Sequence, residues 1–431
     1  MSAKSFKFLY FYFISSLLLT LITLFILNPN FESYGVETIN KFVFYKPNFF
    51  KINPESNLEI AFDSPSYQYR NDSQRTGFYE INFNPLDLNA TYLNNVTVNH
   101  GGHKASKSTP VSNEEYIVSA GDQGLVQVFK NEILHWTLKL YNSNLGFHGT
   151  PILFKHYAIL GEYSGRLYFL NLLDKKIIWM GHFGNSFGAT PWLEDHYLYY
   201  NVETLHPDGY LGKIDLLNTK LVWVSSSFGD HSHSSPALDE NNLYVGDNKG
   251  GFQATSKLTG QTVWSVGFSS PIKSTPALDN NNIYVSSWDG YLYSLSKKNG
   301  FKKWKYKLSK FNQSSLALDS ELGVGFINDS NGLHKVNLKS GQRLAIMEMK
   351  MGREVKKSSP VILKFKGQKY VASGCFETDV CIFDFNTLKV LRKYIFKQSL
   401  SSQIGVNKKY LMLALNKDTP LILLKPTNIL K

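Results

Sequence analysis

A small residue pair followed by proline returns along this chain, and the residues best placed for chemistry stand at one fixed offset from it. The copies are Ser108-Thr109-Pro110, Gly149-Thr150-Pro151, Ala189-Thr190-Pro191, Ser234-Ser235-Pro236, Ser274-Thr275-Pro276 and Ser358-Ser359-Pro360. Ser314-Ser315-Leu316 and Ser401-Ser402-Gln403 are degenerate copies. Three residues before each third position stand Lys107, His148, Gly188, His233, Lys273, Gln313, Lys357 and Leu400. These are three lysines and two histidines with no acid. Gathered into a ring, they would focus a positive field on an anionic ligand or an acidic loop of a partner. A solvated, screened rim is the alternative. His231 and His233 share a strand face but have no third ligand in view, so they do not make a metal site. The two cysteines, Cys375 and Cys381, are too few for a zinc ribbon or a disulfide-stapled mini-protein. They flank a hairpin turn, Phe376 to Val380, and in an oxidising compartment would be able to pair across it; two buried free thiols are the other reading. No Ser/His/Asp or Cys/His pairing and no phosphate-binding glycine loop stands out. The sequence therefore nominates no catalytic, cofactor-binding or metal-ligating residue, and no cofactor.

The elements that carry these residues follow from the repeat. The stretches beginning at Ser234 and Ser274 match with an offset of 40 and no gap. Pro236, Asp239, Tyr244, Gly250, Gly260 and Trp264 reappear as Pro276, Asp279, Tyr284, Gly290, Gly300 and Trp304. The third positions of the eight copies step by 41, 40, 45, 40, 40, 44 and 43. A fixed period of this size marks a repeat architecture. Each unit alternates apolar and polar residues in short runs separated by glycine turns, which reads as a four-stranded antiparallel meander. Four strands in about 40 residues make one propeller blade. The fold expected is all-β, an eight-bladed propeller. The recurring Trp136, Trp179, Trp223, Trp264 and Trp304 are expected to pack blade on blade. The eighth unit lacks a last strand, and the stretch from Thr91 to Val98 precedes the first unit. That stretch is the natural fourth strand of blade eight, so the two termini are expected to close the ring.

Composition narrows the class further. The chain has 431 residues, with 25 Tyr and 30 Phe, a balance that favours strands. Its formal net charge is +12, but the basic residues are scattered and no nucleic-acid motif is present. Lys4 and Lys7 precede an uncharged run from Phe8 to Leu27. Twenty residues rising about 1.5 Å each span a bilayer core. The run ends in Asn28-Pro29-Asn30, without the small-residue exit of a cleaved signal. We read residues 1–27 as a signal anchor that forms one transmembrane helix, with the rest of the chain exported. Residues 28–65 read as a linker and 66–431 as the propeller.

The units, typified by SSPALDENNLYVGDNKG and LTGQTVW, resemble the PQQ-like β-propeller repeat superfamily. The stretch from Tyr69 to Gly77, YRNDSQRTG, is similar to the lead-in segment that precedes the first blade in that superfamily. One branch consists of quinoprotein dehydrogenases, which use pyrroloquinoline quinone, adjacent cysteines, a calcium site and a catalytic Asp. The other is the non-catalytic scaffold branch of BamB-like envelope lipoproteins. Here the cysteines are six apart and no oxygen-ligand cluster stands out, so the scaffold branch fits better. By that resemblance the offset positions ring one mouth of a central channel. It also implies a periplasmic propeller that binds envelope proteins. The lipobox cysteine of that branch is absent, so attachment falls to the anchor at the inner membrane.

Overall fold

The computed structural model describes residues 48–51, 60, 62, 64–98, 108–121, 124–140, 146–204, 208–352, 358–400, 403–415 and 419–427. The anchor run from Phe8 to Leu27 lies outside them.

The chain forms eight sheets in sequence order around a ring, each an antiparallel meander, with Phe78–Glu80 added parallel to the inner strand of the seventh. Blades one to seven begin with the inner strands Val111–Ser112, Ile152–Phe154, Trp192–Glu194, Ala237–Leu238, Ala277–Leu278, Ala317–Asp319 and Val361–Phe365. Blade eight is made from both termini. Gly405–Val406, Leu411–Leu413 and Thr419–Pro426 supply three strands, and Leu88–Val98 supplies the fourth. The closing strand is three residues longer at its start than the alternation from Thr91 indicates.

Local chemistry explains the repeated residues. Asp239 Oδ1 accepts the N–H groups of Asn241 (3.0 Å) and Asn242 (2.9 Å), an Asx turn that reverses the chain between strands one and two. Tyr244 then donates its hydroxyl to Asp239 Oδ2 at 2.8 Å. Asp279, Asn281, Asn282 and Tyr284 repeat the arrangement one blade on. The outer strand of each of blades one to seven enters through a register shift against the third strand, such as Ala254/Thr255 and Ser294/Leu295. A bulge of this kind bends a strand and raises its twist, which suits the outermost strand of a blade.

The core lies between blades. One cluster joins Tyr244, Phe252 and Ala254 of blade four to Ile283, Val285 and Leu295 of blade five. Another joins Leu93, Met412, Leu421 and Leu423 of blade eight to Ile117 and Phe129 of blade one, which seals the ring. The tryptophans work at these seams. Trp223, Trp264 and Trp304 donate their indole N–H groups to the carbonyls of Lys257, Lys297 and Leu338 in the next blade, at 2.9–3.0 Å. The ring of Trp264 also covers Gly300, where a Cβ would meet it at 2.6 Å.

One short element lies within the stretch read as linker. Asn48–Lys51 pairs antiparallel with the outer strand Lys176–His182 and adds a fifth strand to the edge of blade two. This strand accordingly belongs to the same compact unit as the blades.

Candidate functional site

The small pair before each proline builds a belt around the channel. The Thr109 N–H donates to Thr150 Oγ1 (3.0 Å), Thr150 to Thr190 Oγ1 (2.9 Å) and Thr190 to Ser235 Oγ (3.0 Å). Thr275 and Ser315 continue the belt onto Ser315 Oγ and Ser359 Oγ, both at 2.9 Å. An inner strand here has no neighbour on its channel side, and the next blade's hydroxyl satisfies the N–H that a sheet partner would otherwise take. The inner strands run from the offset positions, through this belt, to the opposite end of the channel.

That opposite end is closed by the lead-in segment, which steps around the ring blade by blade. Ser66–Tyr67 pairs with Ile152–Phe154 of blade two. The Gln68 side chain exchanges two hydrogen bonds with the Leu193 backbone of blade three, at 2.7 and 2.8 Å. The carbonyls of Ser73, Gln74, Thr76 and Gly77 accept from Leu238, Leu278, Leu318 and Ile362 of blades four to seven, at 2.7–3.0 Å. Arg70 Nη1 donates to Gln403 Oε1 at 2.9 Å.

Arg70 and Arg75 are both fully buried within this plug. Arg70 donates to the carbonyls of Arg75 (2.9 Å) and Leu316 (2.5 Å). Arg75 donates to those of Pro236 (3.0 Å), Tyr69 (2.6 Å) and Pro191 (3.2 Å), and lies 4.7 Å over the Trp192 ring. Burial lowers both guanidinium pKa values, that of Arg75 to about 9. A guanidinium is not deprotonated in a protein, so both carry their charge. The backbone turns tightly to place them. Arg70, Asn71, Arg75 and Gly77 all have positive φ. At Gly77 a Cβ would meet Arg70 Nη2 at 2.6 Å, so a side chain there would strain the backbone and push the guanidinium from its place.

Of the offset positions, those of blades three and four lie next to each other: a Cβ on Gly188 would lie 3.1 Å from His233 Nδ1. His148 is buried, with its ring 4.2 Å from that of Tyr163. Lys273 lies 4.4 Å over the Trp288 ring. Gln313 is half-buried and Leu400 is buried. Lys107 and Lys357 lie outside the described residues.

The mouth is not purely cationic. Glu203 Oε1 lies 2.8 Å from His233 Nδ1, and Ser186 Oγ donates to Glu203 Oε2 at 2.6 Å. His231 Nδ1 lies 3.8 Å from Glu203 Oε2, so the two histidines flank one carboxylate. Glu203 ends the second strand of its blade, and Glu162, Asp247 and Asp329 hold the matching places, all buried. These acids follow their blade's repeat position by eleven to thirteen residues, a recurrence visible in the sequence once the offset is measured from that proline.

Burial pushes the Glu203 pKa up, but the hydrogen bond and charge of His233, with Ser186 and His231, outweigh it, and the net shift is down. A carboxylate with a lowered folded pKa contributes stability above its ordinary value of 4.5, and that contribution is lost as the pH falls through the folded value. Glu203→Gln is therefore expected to show a shallower loss of stability than the parent between about pH 5 and pH 3. Urea midpoints at several pH values measure this; parallel curves would exclude it.

Cys375 and Cys381 form a disulfide across the blade-seven hairpin, between the strands Gln368–Cys375 and Asp379–Asp384. Both are buried. They are not the adjacent pair that a quinone site of the dehydrogenase branch needs. Asp247 Oδ1 is taken by its own turn's N–H groups, and Asp329 by His334 and the Ser309 N–H. Among the described residues no three His, Cys, Asp or Glu side chains converge as metal ligands. This donor set does not fit a quinone with its calcium, and no step through that group is derived.

The family profile described as outer membrane protein assembly factor BamB matches residues 207–403. The matched stretch, which runs from blade three through blade seven, is similar to the PQQ-type repeats of that family. BamB from Moraxella catarrhalis superposes with a TM-score of 0.59 at 16% identity, covering 79% of this chain and 99% of that one. A europium-containing methanol dehydrogenase gives 0.65 at 10% identity, covering 82% and 91%. The quinohemoprotein alcohol dehydrogenase from Comamonas testosteroni gives 0.64 at 11% identity, covering 83% and 79%. At these identities the structural likeness shows the fold alone. No curated protein matches the chain.

Proposed function

We propose that this protein is a non-catalytic scaffold: an exported propeller, tethered to the inner membrane through the run from Phe8 to Leu27, that holds envelope proteins together during their assembly. The observation that carries the reading is the closure of the channel. At one end the chain's own lead-in segment touches blades two to eight and buries Arg70 and Arg75 among them. At the other end Glu203 is engaged by His233 and Ser186. What the ring offers partners is its rigid outer surface. The matched family profile supports the same reading.

A pull-down of the full-length protein from its native envelope tests the proposal. Recovery of β-barrel assembly components is the expected result. The quinoprotein alternative predicts instead a quinone absorption band after adding pyrroloquinoline quinone and Ca²⁺, with dye-linked alcohol oxidation. That outcome, without envelope partners, would overturn the scaffold reading.

A further inference from the structure

The plug carries a charge that it does not balance. Arg70 and Arg75 are fully buried, and among the described residues neither makes an ion pair. The carboxylate that acts on both, Asp72, is held by Thr76 through its N–H (3.0 Å) and its hydroxyl. Two guanidinium charges against one carboxylate leave one positive charge over. The carbonyls around the arginines satisfy their N–H groups but do not cancel that charge, and a buried net charge is costly unless a counter-ion reaches it.

Beside Arg70 lies a cavity of about 240 Å³, bounded by the plug and by blades one and eight. Its wall includes Arg70, Tyr69, Tyr79, Gln403 and, at its outer edge, Lys408, together with apolar surface from Val111 and Val406. No Asp or Glu is among its described lining residues. Tyr79 is buried, and its hydroxyl accepts from Gln403 Nε2 at 3.1 Å, which leaves its own O–H to donate. Burial holds that phenol protonated throughout the physiological range. The histidine mouth, by contrast, has Glu203 within its ring and does not offer an acid-free cationic surface.

We propose that this cavity binds a single carboxylate carried on a small apolar body, with Arg70 as its buried countercharge, the Tyr79 hydroxyl as a donor and Lys408 at the opening. A monoanion matches the one unbalanced charge. The mixed wall suits an apolar acid better than a fully hydrated inorganic anion. The carboxylate comes either from a free small acid or from the C-terminus of a peptide, and the test separates these.

Titration calorimetry on the full-length protein would use benzoate and hexanoate as free acids, benzamide as the neutral shape match, and Ala-Ala-Val with a free or amidated C-terminus. Saturable one-site binding of a carboxylate probe is expected, with a raised melting temperature and no binding of benzamide or the amidated peptide. Which probe binds identifies the source. Tyr79→Phe is expected to weaken binding about tenfold, the loss of one hydrogen bond to a charged group. Lys408→Gln, at an exposed position, is expected to weaken it severalfold and to make it less sensitive to salt, while Lys409→Gln leaves it unchanged. The proposal is overturned if no carboxylate probe saturates, if benzamide binds as well as benzoate, or if Lys408→Gln and Tyr79→Phe both leave the affinity unaltered.

Discussion

Truncation after Asn407 is expected to unfold the whole propeller, not blade eight alone. The deletion removes Leu411–Leu413 and Thr419–Pro426 and strips the closing strand Leu88–Val98 of its partner. Seven side chains in those two strands, Leu411, Met412, Leu413, Leu421, Ile422, Leu423 and Leu424, are buried. Burial of such a side chain contributes about 1.5–3 kcal/mol, so their joint loss matches or exceeds the roughly 5–15 kcal/mol by which a domain is stable. They face both neighbours: Leu411, Leu413, Ile422 and Leu424 pack toward blade seven, while Met412, Leu421 and Leu423 pack toward blade one. An open repeat array would lose only its end unit, because each unit there leans on one neighbour. A ring shut by strands from both termini has no end unit to lose. Calorimetry of the truncated chain should show no native transition. Two separate melting steps, one matching the parent, would mean that the closure does not couple the blades.

What was legible in the sequence is what acts locally. Pro236, Gly260 and Trp264 repeat because successive blades reuse the same inner strand, the same turn and the same seam contact, and a requirement met in most units leaves a period. The closing strand was legible because an incomplete unit at one end and a spare strand at the other imply each other. The channel was legible only in part. The offset residues of blades three and four do sit side by side, yet Glu203 joins them from another strand, and nothing in the histidine pattern points to it. Measuring the acids from the repeat proline would have found it. The roles of Arg70 and Arg75 were not legible. In sequence they are polar residues in a polar stretch with Asn71, Asp72 and Ser73, the composition of an exposed loop. Their acceptors lie in blades three, four, six and eight, more than 100 residues away, and the backbone carbonyls that hold them leave no mark on side-chain pattern.

Arg75→Ala is the single substitution expected to cost most. Arg75 is fully buried and donates to carbonyls of Pro236, Tyr69 and Pro191, joining blades three and four through the plug. Removing it leaves those acceptors in a buried site without donors, at about 1–3 kcal/mol each, less whatever entering water restores. It also uncovers the Trp192 face that the guanidinium now covers. The net loss expected in urea denaturation is about 3–5 kcal/mol, at the upper end for a point substitution. Arg75→Lys separates charge from geometry. It keeps one positive charge, but its ammonium is a compact group that cannot reproduce the planar fork reaching acceptors on two blades. If the carbonyl network is what matters, lysine should lose most of what alanine loses. If the positive charge alone mattered, lysine would match the parent, and the plug would be an electrostatic stopper, not a hydrogen-bonded keystone. A loss below about 1 kcal/mol for Arg75→Ala, the size of one ordinary hydrogen bond, would remove the segment from any role in holding the ring.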